Sequence, residues 1–181
     1  MTAGCWVMVC GPSGAGKDSV LAWAAGALAA HPGICFARRL VTRATSASSD
    51  HDEVSESGIA ALRTRGHLAW HWEAHGHQYG VRAEYAERVA AGEVVVVNGS
   101  REHAWPLVGR TDVRCVLVTA PVALLRARLL GRARESAEAV VARMARSRAL
   151  EGVAADRVIA NDGVLDVAGG ALRDYLLELV R

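Results

Sequence analysis

The chain has 181 residues, which suffice for one domain with its own core, and 51% of them are hydrophobic, which excludes a disordered chain. Its net charge of +2 comes from 21 basic and 19 acidic residues scattered along the chain, so nothing indicates nucleic-acid binding. The apolar runs are far shorter than the roughly 20 residues of a membrane span, and residues 1–10 lack the features of a signal peptide, which together predict a cytoplasmic protein.

The chain begins with a predicted strand, turn and helix. Cys5–Cys10 is apolar throughout, which indicates a strand buried on both faces, as in a parallel sheet. Residues 11–16 form a glycine-rich turn before a predicted helix over residues 17–30. A second strand is predicted over residues 35–41, and residues 42–53 are predicted to form a polar loop.

The middle of the chain predicts a helix over residues 55–66 with Ser55 as its N-cap. Short strands are expected within residues 68–81, followed by a helix over residues 83–91. The rest of the chain predicts further strands over residues 94–97, 113–119 and 158–159, helices over residues 121–130, 137–150 and 165–180, and a hinge at residues 131–134.

Strands that alternate with helices predict an α/β fold, with three αβα layers around a parallel sheet and right-handed crossovers. We expect a single domain over residues 1–181, with its core at about 1–41 and 93–181. Residues 42–92 fit the alternation least well and are predicted to form an inserted subdomain.

Cysteine and histidine spacing favours packing over metal binding. The four cysteines lie in short apolar stretches without a C-x-x-C pair, so we expect buried free thiols in a reducing compartment. The histidines of the subdomain lack a metal-ligand spacing, and its tryptophans are predicted to pack internally: His67, His71, His75, His77, Trp70 and Trp72.

Residues 11–17 fit the pattern G-x-x-x-x-G-K of P-loop proteins, between a predicted strand and a predicted helix. Glycines let successive N–H groups turn inward toward a phosphate, and the helix start adds its positive end. Lys17 is the only lysine, and its mobile ammonium suits the β- and γ-phosphates, so we predict a catalytic role. The predicted ATP-binding residues of this loop are Gly11, Pro12, Ser13, Gly14, Ala15, Gly16, Lys17, Asp18 and Ser19.

Asp18 stands where a serine or threonine usually places its hydroxyl on Mg²⁺. A carboxylate there would repel the triphosphate unless a cation lies between them, so we predict that Asp18 holds Mg²⁺ directly or through water. The alternative is that Asp18 only complements the positive end of the helix.

The chain resembles the nucleoside monophosphate kinases, guanylate kinase most closely, over residues 11–21, 41–43, 76–80, 124–134 and 161–162. Other details resemble one relative more, the ribose 1,5-bisphosphate phosphokinases: Gly16 to Ser19, Trp72 to Gly76, Asn98 to Arg101, and Gly131 to Ser136. The run Ser48-Ser49-Asp50-His51 stands where that family has a Gly-Gly-Glu-Asp-His-like run and departs from it, so the resemblance places the acceptor loop near Asp50 without a match of this motif.

The resemblance implies a P-loop kinase with an acceptor-binding insertion and a lid at about residues 131–137. It implies ATP and Mg²⁺ as cofactors and transfer of phosphate to ribose 1,5-bisphosphate, which forms 5-phospho-α-D-ribose 1-diphosphate and belongs to phosphonate breakdown. The partner is then a small phosphorylated sugar, with no nucleic acid or membrane, and the enzyme a monomer or homodimer.

Residue roles follow from the same resemblance. Arg132 and Arg134 are predicted to close over the transferring group, and Asn161 to contact adenine. The predicted acceptor-binding residues are Arg39, Arg43, Tyr79, Asn98, Ser100, Arg101 and Arg143, with Asn98, Ser100 and Arg101 addressing either ribose hydroxyls or a phosphate.

Guanylate kinase is the alternative within the same class. Guanine presents N–H donors, and guanylate kinase binds them with carboxylate residues at two positions. This chain has Trp70 or His71 at the first of these positions, and Asn98 and Ser100 at the second. Ser46 also replaces the second arginine of the T-R-x-x-R pattern. A third possibility, from another class, is an inactive guanylate-kinase-like module that binds protein segments; the intact P-loop argues against it.

Overall fold

A computed structural model describes residues 3–45, 50–74, 76–131 and 154–181. The predicted lid at 131–137, apart from residue 131, and the predicted helix at 137–150 lie outside the described residues, as do Ser46, Arg132, Arg134 and Arg143. No helix in the described ranges is long and apolar enough to cross a membrane.

The described residues form nine strands and six α-helices, and a 3₁₀ turn covers Trp105–Leu107. The strands are β1 (Cys5–Cys10), β2 (Ile34–Phe36), β3 (Arg39–Val41), β4 (His51–Glu53), β5 (Leu68–Ala74), β6 (His77–Arg82), β7 (Val94–Asn98), β8 (Val113–Thr119) and β9 (Arg157–Ala160). The helices are α1 (Lys17–Ala27), α2 (Glu56–Thr64), α3 (Glu84–Ala90), α4 (Arg101–Ala104), α5 (Val122–Gly131) and α6 (Leu165–Leu179).

A parallel sheet in the order β2-β7-β1-β8-β9 forms the centre of the molecule. β1 is paired on both sides and is buried along its full length, as its apolar sequence predicts. Its side chains alternate between two cores, because neighbouring residues of a strand point to opposite faces. Val7 and Val9 pack with α1 and α6, whereas Trp6 and Met8 pack on the other face.

The second core is shared with a four-stranded sheet in the order β4-β3-β6-β5. Trp72, Tyr79 and Val81 of this sheet pack in the same cluster as Met8 and Val97 of the central sheet. The two sheets therefore share one core, which runs along β1 from Trp6 to Cys10. The α/β fold around a parallel sheet is confirmed.

The predicted strand over residues 35–41 is wrong as one element. β2 pairs with β7 in the central sheet, whereas β3 pairs with β6 and β4 in the second sheet. Between them, the N–H of Ala37 donates to the carbonyl of Val96, and the N–H of Arg38 donates to the hydroxyl of Tyr85. These two bonds mark the point where the chain leaves one sheet for the other.

Two further elements were not predicted. The polar loop expected over residues 42–53 ends in β4, a three-residue strand whose first residue, His51, is buried. The short helix α4 follows Asn98-Gly99-Ser100 and runs into the 3₁₀ turn. All four cysteines are free thiols; Cys5, Cys10 and Cys115 are buried, and Cys35 is half-buried.

Candidate active site

The phosphate loop connects β1 to α1 at the carboxyl end of the central strand. Gly14 and Gly16 have φ angles of 86° and 76°, in the left-handed region that favours glycine. A Cβ atom on Gly16 would also collide with the side-chain amide of Asn161. The loop is therefore tight, and it leads directly into the N-terminus of an 11-residue helix, as anion-binding loops do.

Two side chains from other elements support the carbonyl groups of this loop. The amide Nδ2 of Asn161 donates to the carbonyl of Ala15 at 2.7 Å and is buried. The Nη1 atom of Arg128, on α5, lies 3.4 Å from the carbonyls of both Gly14 and Ala15. The structure thus gives Asn161 a role in holding the loop, and its contact with adenine stays a prediction.

Lys17 points from the first turn of α1 to a cluster of polar side chains. Its Nζ atom donates to Asp18 Oδ1 at 3.0 Å and also to Asn98 Oδ1. The side chain is 17% exposed, and burial lowers the pKa of Lys17, against the attraction of the Asp18 carboxylate. The ammonium group therefore lies at the end of the phosphate loop, between two oxygen acceptors.

Asp18 is ionised at neutral pH and open to solvent. Burial tends to raise the pKa of its carboxyl group, but the charge and hydrogen bond of Lys17 outweigh this and lower it to about 2. The side chain is 69% exposed. An accessible anionic carboxylate beside the phosphate loop is chemically suited to a magnesium ion, and that role stays a prediction.

Asn98 connects the phosphate loop to the second sheet. It is buried at the end of β7, where its Oδ1 accepts from Lys17 and its Nδ2 donates to Asp18 Oδ1 at 3.0 Å. The same Nδ2 also donates to Asp50 Oδ2. One amide group therefore bridges the carboxylate beside the loop and a carboxylate just before β4.

Arg39 and Asp50 form the other side of this cluster. Arg39 Nη2 lies 2.8 Å from Asp50 Oδ2, and its side chain is 11% exposed. Burial tends to raise the pKa of Asp50, but the charge of Arg39 and the hydrogen bond from Asn98 lower it on balance. The buried His51 adds its Nδ1 at 3.4 Å from Asp50 Oδ1. Lys17 and Arg39 therefore belong to one hydrogen-bonded network.

A column of rings extends from Arg39 into the core between the sheets. The Arg39 guanidinium lies 5.7 Å from the ring centroid of Tyr79, and Tyr79 stacks on Trp72 at 5.2 Å. Trp72 in turn stacks on His103 of α4 at 4.3 Å. Burial, and to a lesser degree the charge of His71, lowers the pKa of His103 to about 4, so its ring is neutral at pH 7.

The structure brings together five of the predicted site residues: Lys17, Asp18, Arg39, Tyr79 and Asn98. Ser100 lies at the start of α4, where its hydroxyl accepts from the N–H of His103. Arg43 is exposed, and Arg101 lies in α4. The acceptor-binding roles of these residues stay predictions.

Sequence reasoning named neither Arg128 nor His103 as a site residue, and it noted Asp50 and His51 only as part of a run that departs from the family pattern. Asp50 is separated by 48 positions from Asn98, so only the fold shows that the two are hydrogen-bonded. Arg128 lies within a stretch that resembles the kinases, and its spacing from the loop gave no hint of a contact over 114 positions.

Comparisons with known proteins give consistent results. No protein-family model matches the chain. A ribose 1,5-bisphosphate phosphokinase of Burkholderia pseudomallei is 42% identical over 185 residues, covering 100% of both chains. One from Methylobacterium radiotolerans is 42% identical over 174 residues, covering 96% of this chain and 97% of that one. One from Laribacter hongkongensis is 43% identical over 94% of this chain, which spans 42% of that longer protein.

Solved structures give the same fold at lower identity. The guanylate kinase of Anaplasma phagocytophilum superposes with a TM-score of 0.69 at 18% identity, over 98% of this chain and 87% of that one. The protein TT1252 of Thermus thermophilus gives a TM-score of 0.54, also at 18% identity, over 97% and 98% of the two chains. The fold is therefore that of guanylate kinase. Because two curated relatives are 42% identical over almost their whole length, the chain belongs to the ribose 1,5-bisphosphate phosphokinase family.

Proposed function

We propose that the chain transfers the γ-phosphoryl group of ATP to the 1-phosphate of ribose 1,5-bisphosphate, forming 5-phospho-α-D-ribose 1-diphosphate and ADP. The observation that supports this most strongly is the 42% identity to phosphokinases of that name over nearly the whole chain. We assign the reaction to phosphonate breakdown, as the resemblance implies, and to the cytoplasm, as the pattern of buried free cysteines predicts.

The acceptor in this reaction is a phosphate monoester, whose oxygens are nucleophilic without removal of a proton. An oxygen of the 1-phosphate attacks the γ-phosphorus as the bond from that phosphorus to the β–γ bridging oxygen breaks, so no general base is needed. The chain must instead bring two anions together and neutralise their charge. Lys17, at the end of the phosphate loop, is assigned to the β- and γ-phosphates.

The acceptor phosphates are assigned to arginines of the second sheet and the loop after it. Arg39 already pairs with a carboxylate in the network, which supports its use as an anion-binding group. Arg43 is exposed and free to reach an acceptor, and the hydroxyl of Tyr79 is assigned a hydrogen bond to a phosphate. Ser100 and Arg101 would contact the sugar or a phosphate from α4.

The donor set beside the loop suits magnesium. Asp18 is an ionised, accessible carboxylate and would hold the ion directly or through water. Magnesium, when bound, neutralises charge on the triphosphate, while the loop amides and Lys17 orient it. Arg132, Arg134 and Arg143 are assigned to closing the site, which excludes water as a competing acceptor.

The column of rings supports a sugar phosphate over a nucleotide as the acceptor. A nucleobase needs an open aromatic or polar surface on which to bind. Tyr79 and Trp72 are buried and stack on each other. Arg39 lies over the Tyr79 ring, and His103 stacks on the Trp72 ring. These two rings therefore offer no open face on which a base could stack, and guanylate kinase activity stays the alternative.

An acceptor comparison tests the proposal. The purified protein is incubated with ATP and Mg²⁺ and, in turn, with ribose 1,5-bisphosphate, GMP, AMP or ribose 5-phosphate, and formation of ADP is followed. We expect the highest kcat/KM with ribose 1,5-bisphosphate. A preference for GMP would establish the alternative, and absence of turnover with every acceptor would favour a binding module.

A further inference from the structure

Asp50 is an unexpected residue in a cleft that is built for anions. Its neighbours Lys17 and Arg39 are suited to phosphates, but a carboxylate repels a phosphate at short range. The resemblance implies only that Asp50 lies in the acceptor loop, and it gives the carboxylate no specific role. Asp50 nevertheless lies inside the network, held by Arg39 and by the amide of Asn98.

The carboxylate of Asp50 has acceptor capacity to spare. Its Oδ2 atom accepts from Arg39 Nη2 at 2.8 Å and from Asn98 Nδ2. Among the residues that the structure describes, its Oδ1 atom has one contact, a long one to His51 Nδ1 at 3.4 Å. Two carboxylate oxygens can accept about four hydrogen bonds. The Asp50 side chain is 43% exposed, so solvent reaches this carboxylate, and Oδ1 has acceptor positions that no described residue occupies.

The group that fits such a position is a hydrogen-bond donor. The fully ionised phosphates of a sugar bisphosphate offer none, whereas its ring hydroxyl groups do. Asp18 is the other carboxylate of the cluster, but it belongs to the phosphate loop and is bonded to Lys17. Asp50 is separated from that loop by Asn98 and adjoins Arg39, on the side assigned to the acceptor.

We propose that Asp50 recognises the sugar ring of the acceptor, by accepting hydrogen bonds from its ring hydroxyl groups while arginines bind its phosphates. The inference rests on the function proposed above and adds a specificity-determining residue to it. Recognition of this kind discriminates well, because an acceptor without the hydroxyl leaves the carboxylate unpaired. It also disfavours free phosphate, which would meet the repulsion of Asp50 without the compensating hydrogen bonds.

The test compares three acceptors with ATP and Mg²⁺: ribose 1,5-bisphosphate and its 2-deoxy and 3-deoxy analogues. We expect wild-type kcat/KM to be about tenfold or more higher for the ribose compound than for at least one analogue. In Asp50→Ala this ratio should fall close to one. Asp50→Asn, which retains one acceptor oxygen and the side-chain shape, should give an intermediate ratio.

Asp52→Ala is the matched control. Asp52 lies two residues further on and accepts from Arg38 and Arg82, at 2.8 and 2.7 Å, outside the network of Lys17. Its removal also frees arginine side chains from a carboxylate, but the ratio between the acceptors should stay at the wild-type value. Thermal unfolding of each variant establishes that it is folded.

Three results would overturn the inference and leave the proposed function intact. In the first, the wild type turns over all three acceptors equally well. In the second, Asp50→Ala lowers kcat/KM by the same factor for each acceptor, as expected if Asp50 only holds Arg39. In the third, Asp50→Ala raises the required Mg²⁺ concentration and leaves the ratio of kcat/KM between the acceptors unchanged. A wild-type protein inactive on ribose 1,5-bisphosphate would overturn both the function and the role of Asp50.

Discussion

Lys17 is the cation that connects the phosphate loop with the amide at the end of β7. Lys17→Met keeps much of the volume of the side chain but removes the charge that follows the transferring phosphoryl group. Removal of one such donor typically costs about 100-fold or more in kcat, and we expect a loss of that size. A coupled assay for ADP measures it.

Arg173→Met provides the control for Lys17→Met, because Arg173 pairs with Asp174 on α6 and lies over the ring of Trp23, outside the hydrogen-bonded network of Lys17. It should leave kcat unchanged. A Lys17→Met enzyme that retains more than a tenth of wild-type kcat would contradict the role given to the ammonium group.

Asp18→Asn tests the magnesium site. The wild-type carboxyl group has its pKa lowered to about 2, so it is anionic throughout the range in which a kinase assay is run. The amide cannot supply that charge, and we expect the Mg²⁺ concentration for half-maximal rate to rise several-fold. Asp18→Glu keeps the charge and should retain most of the affinity for the ion. If Asp18→Asn needs the same Mg²⁺ concentration for half-maximal rate as the wild type, Asp18 has only a structural role.

The residues of the site could be predicted only where they lie together in one short segment of the sequence. The loop and Lys17 are adjacent in the sequence and follow a recognisable strand, so the pattern alone locates them. The cluster around Asn98 brings together residues as far as 81 positions apart, and a lone aspartate in a polar run has no local signature. Asp50 could therefore be found only from its contacts.

Helix α2 begins at a side-chain cap that can be tested directly. The hydroxyl of Ser55 accepts from the N–H of Gly58 at 3.0 Å, which satisfies one of the free N–H groups of the first turn. Ser55→Ala should lower the free energy of unfolding by about 1 kcal/mol. Chemical denaturation at neutral pH measures the difference.

Ser57→Ala is the comparison within the same turn, because the hydroxyl of Ser57 is exposed and contacts only the hydroxyl of Ser55 among the described residues. It should change the stability by less than about 0.5 kcal/mol. Equal losses in the two variants would show that the cap contributes nothing specific.

Elements with a strong local pattern were predicted almost residue by residue. Cys5–Cys10 and Val113–Thr119 are apolar strands with clear ends, and both have the predicted bounds. β2 and β3 were predicted as one strand, because no glycine or proline lies between them. Only the tertiary hydrogen bonds of Ala37 and Arg38 separate the two strands. β4 has the sequence His-Asp-Glu, whose residues have no strong preference for strands. It is a strand because it pairs with β3, and this pairing cannot be predicted from residue propensities.

Aromatic rings of the two sheets and of α4 pack against one another. Trp6 of the central sheet contacts Trp70 at 4.3 Å, and His103 of α4 lies between Trp70 and Trp72 of the second sheet. His103 is packed against aromatic rings, and burial there disfavours its charged form, so the neutral form fits this position better. A titratable ring thus lies in the contact between α4 and the second sheet.

This ring makes the stability depend on pH in a defined direction. His103 has a pKa of about 4 in the folded protein, against 6.5 for the unperturbed group, first because of burial. Between these values the unfolded chain binds a proton that the folded protein does not, so stability decreases as the pH falls from 6.5 to 4. His103→Phe should reduce this loss by about 1–3 kcal/mol.

The measurement is the free energy of unfolding by denaturant across that pH range, with His67→Gln as the control. His67 is exposed in the structure, and its replacement should leave the pH dependence as it is in the wild type. If His103→Phe loses stability with acid as steeply as the wild type, His103 is not held neutral by its surroundings.

The identity of the product tests the proposed reaction most directly. Wild-type protein is incubated with ATP, Mg²⁺ and ribose 1,5-bisphosphate, the nucleotides are removed, and the sugar product is analysed by ³¹P NMR. We predict two coupled phosphorus signals from a diphosphate on C1 beside an unchanged 5-phosphate. A sugar that keeps both monoester signals, with ADP formed by transfer to water or to GMP, would contradict the account.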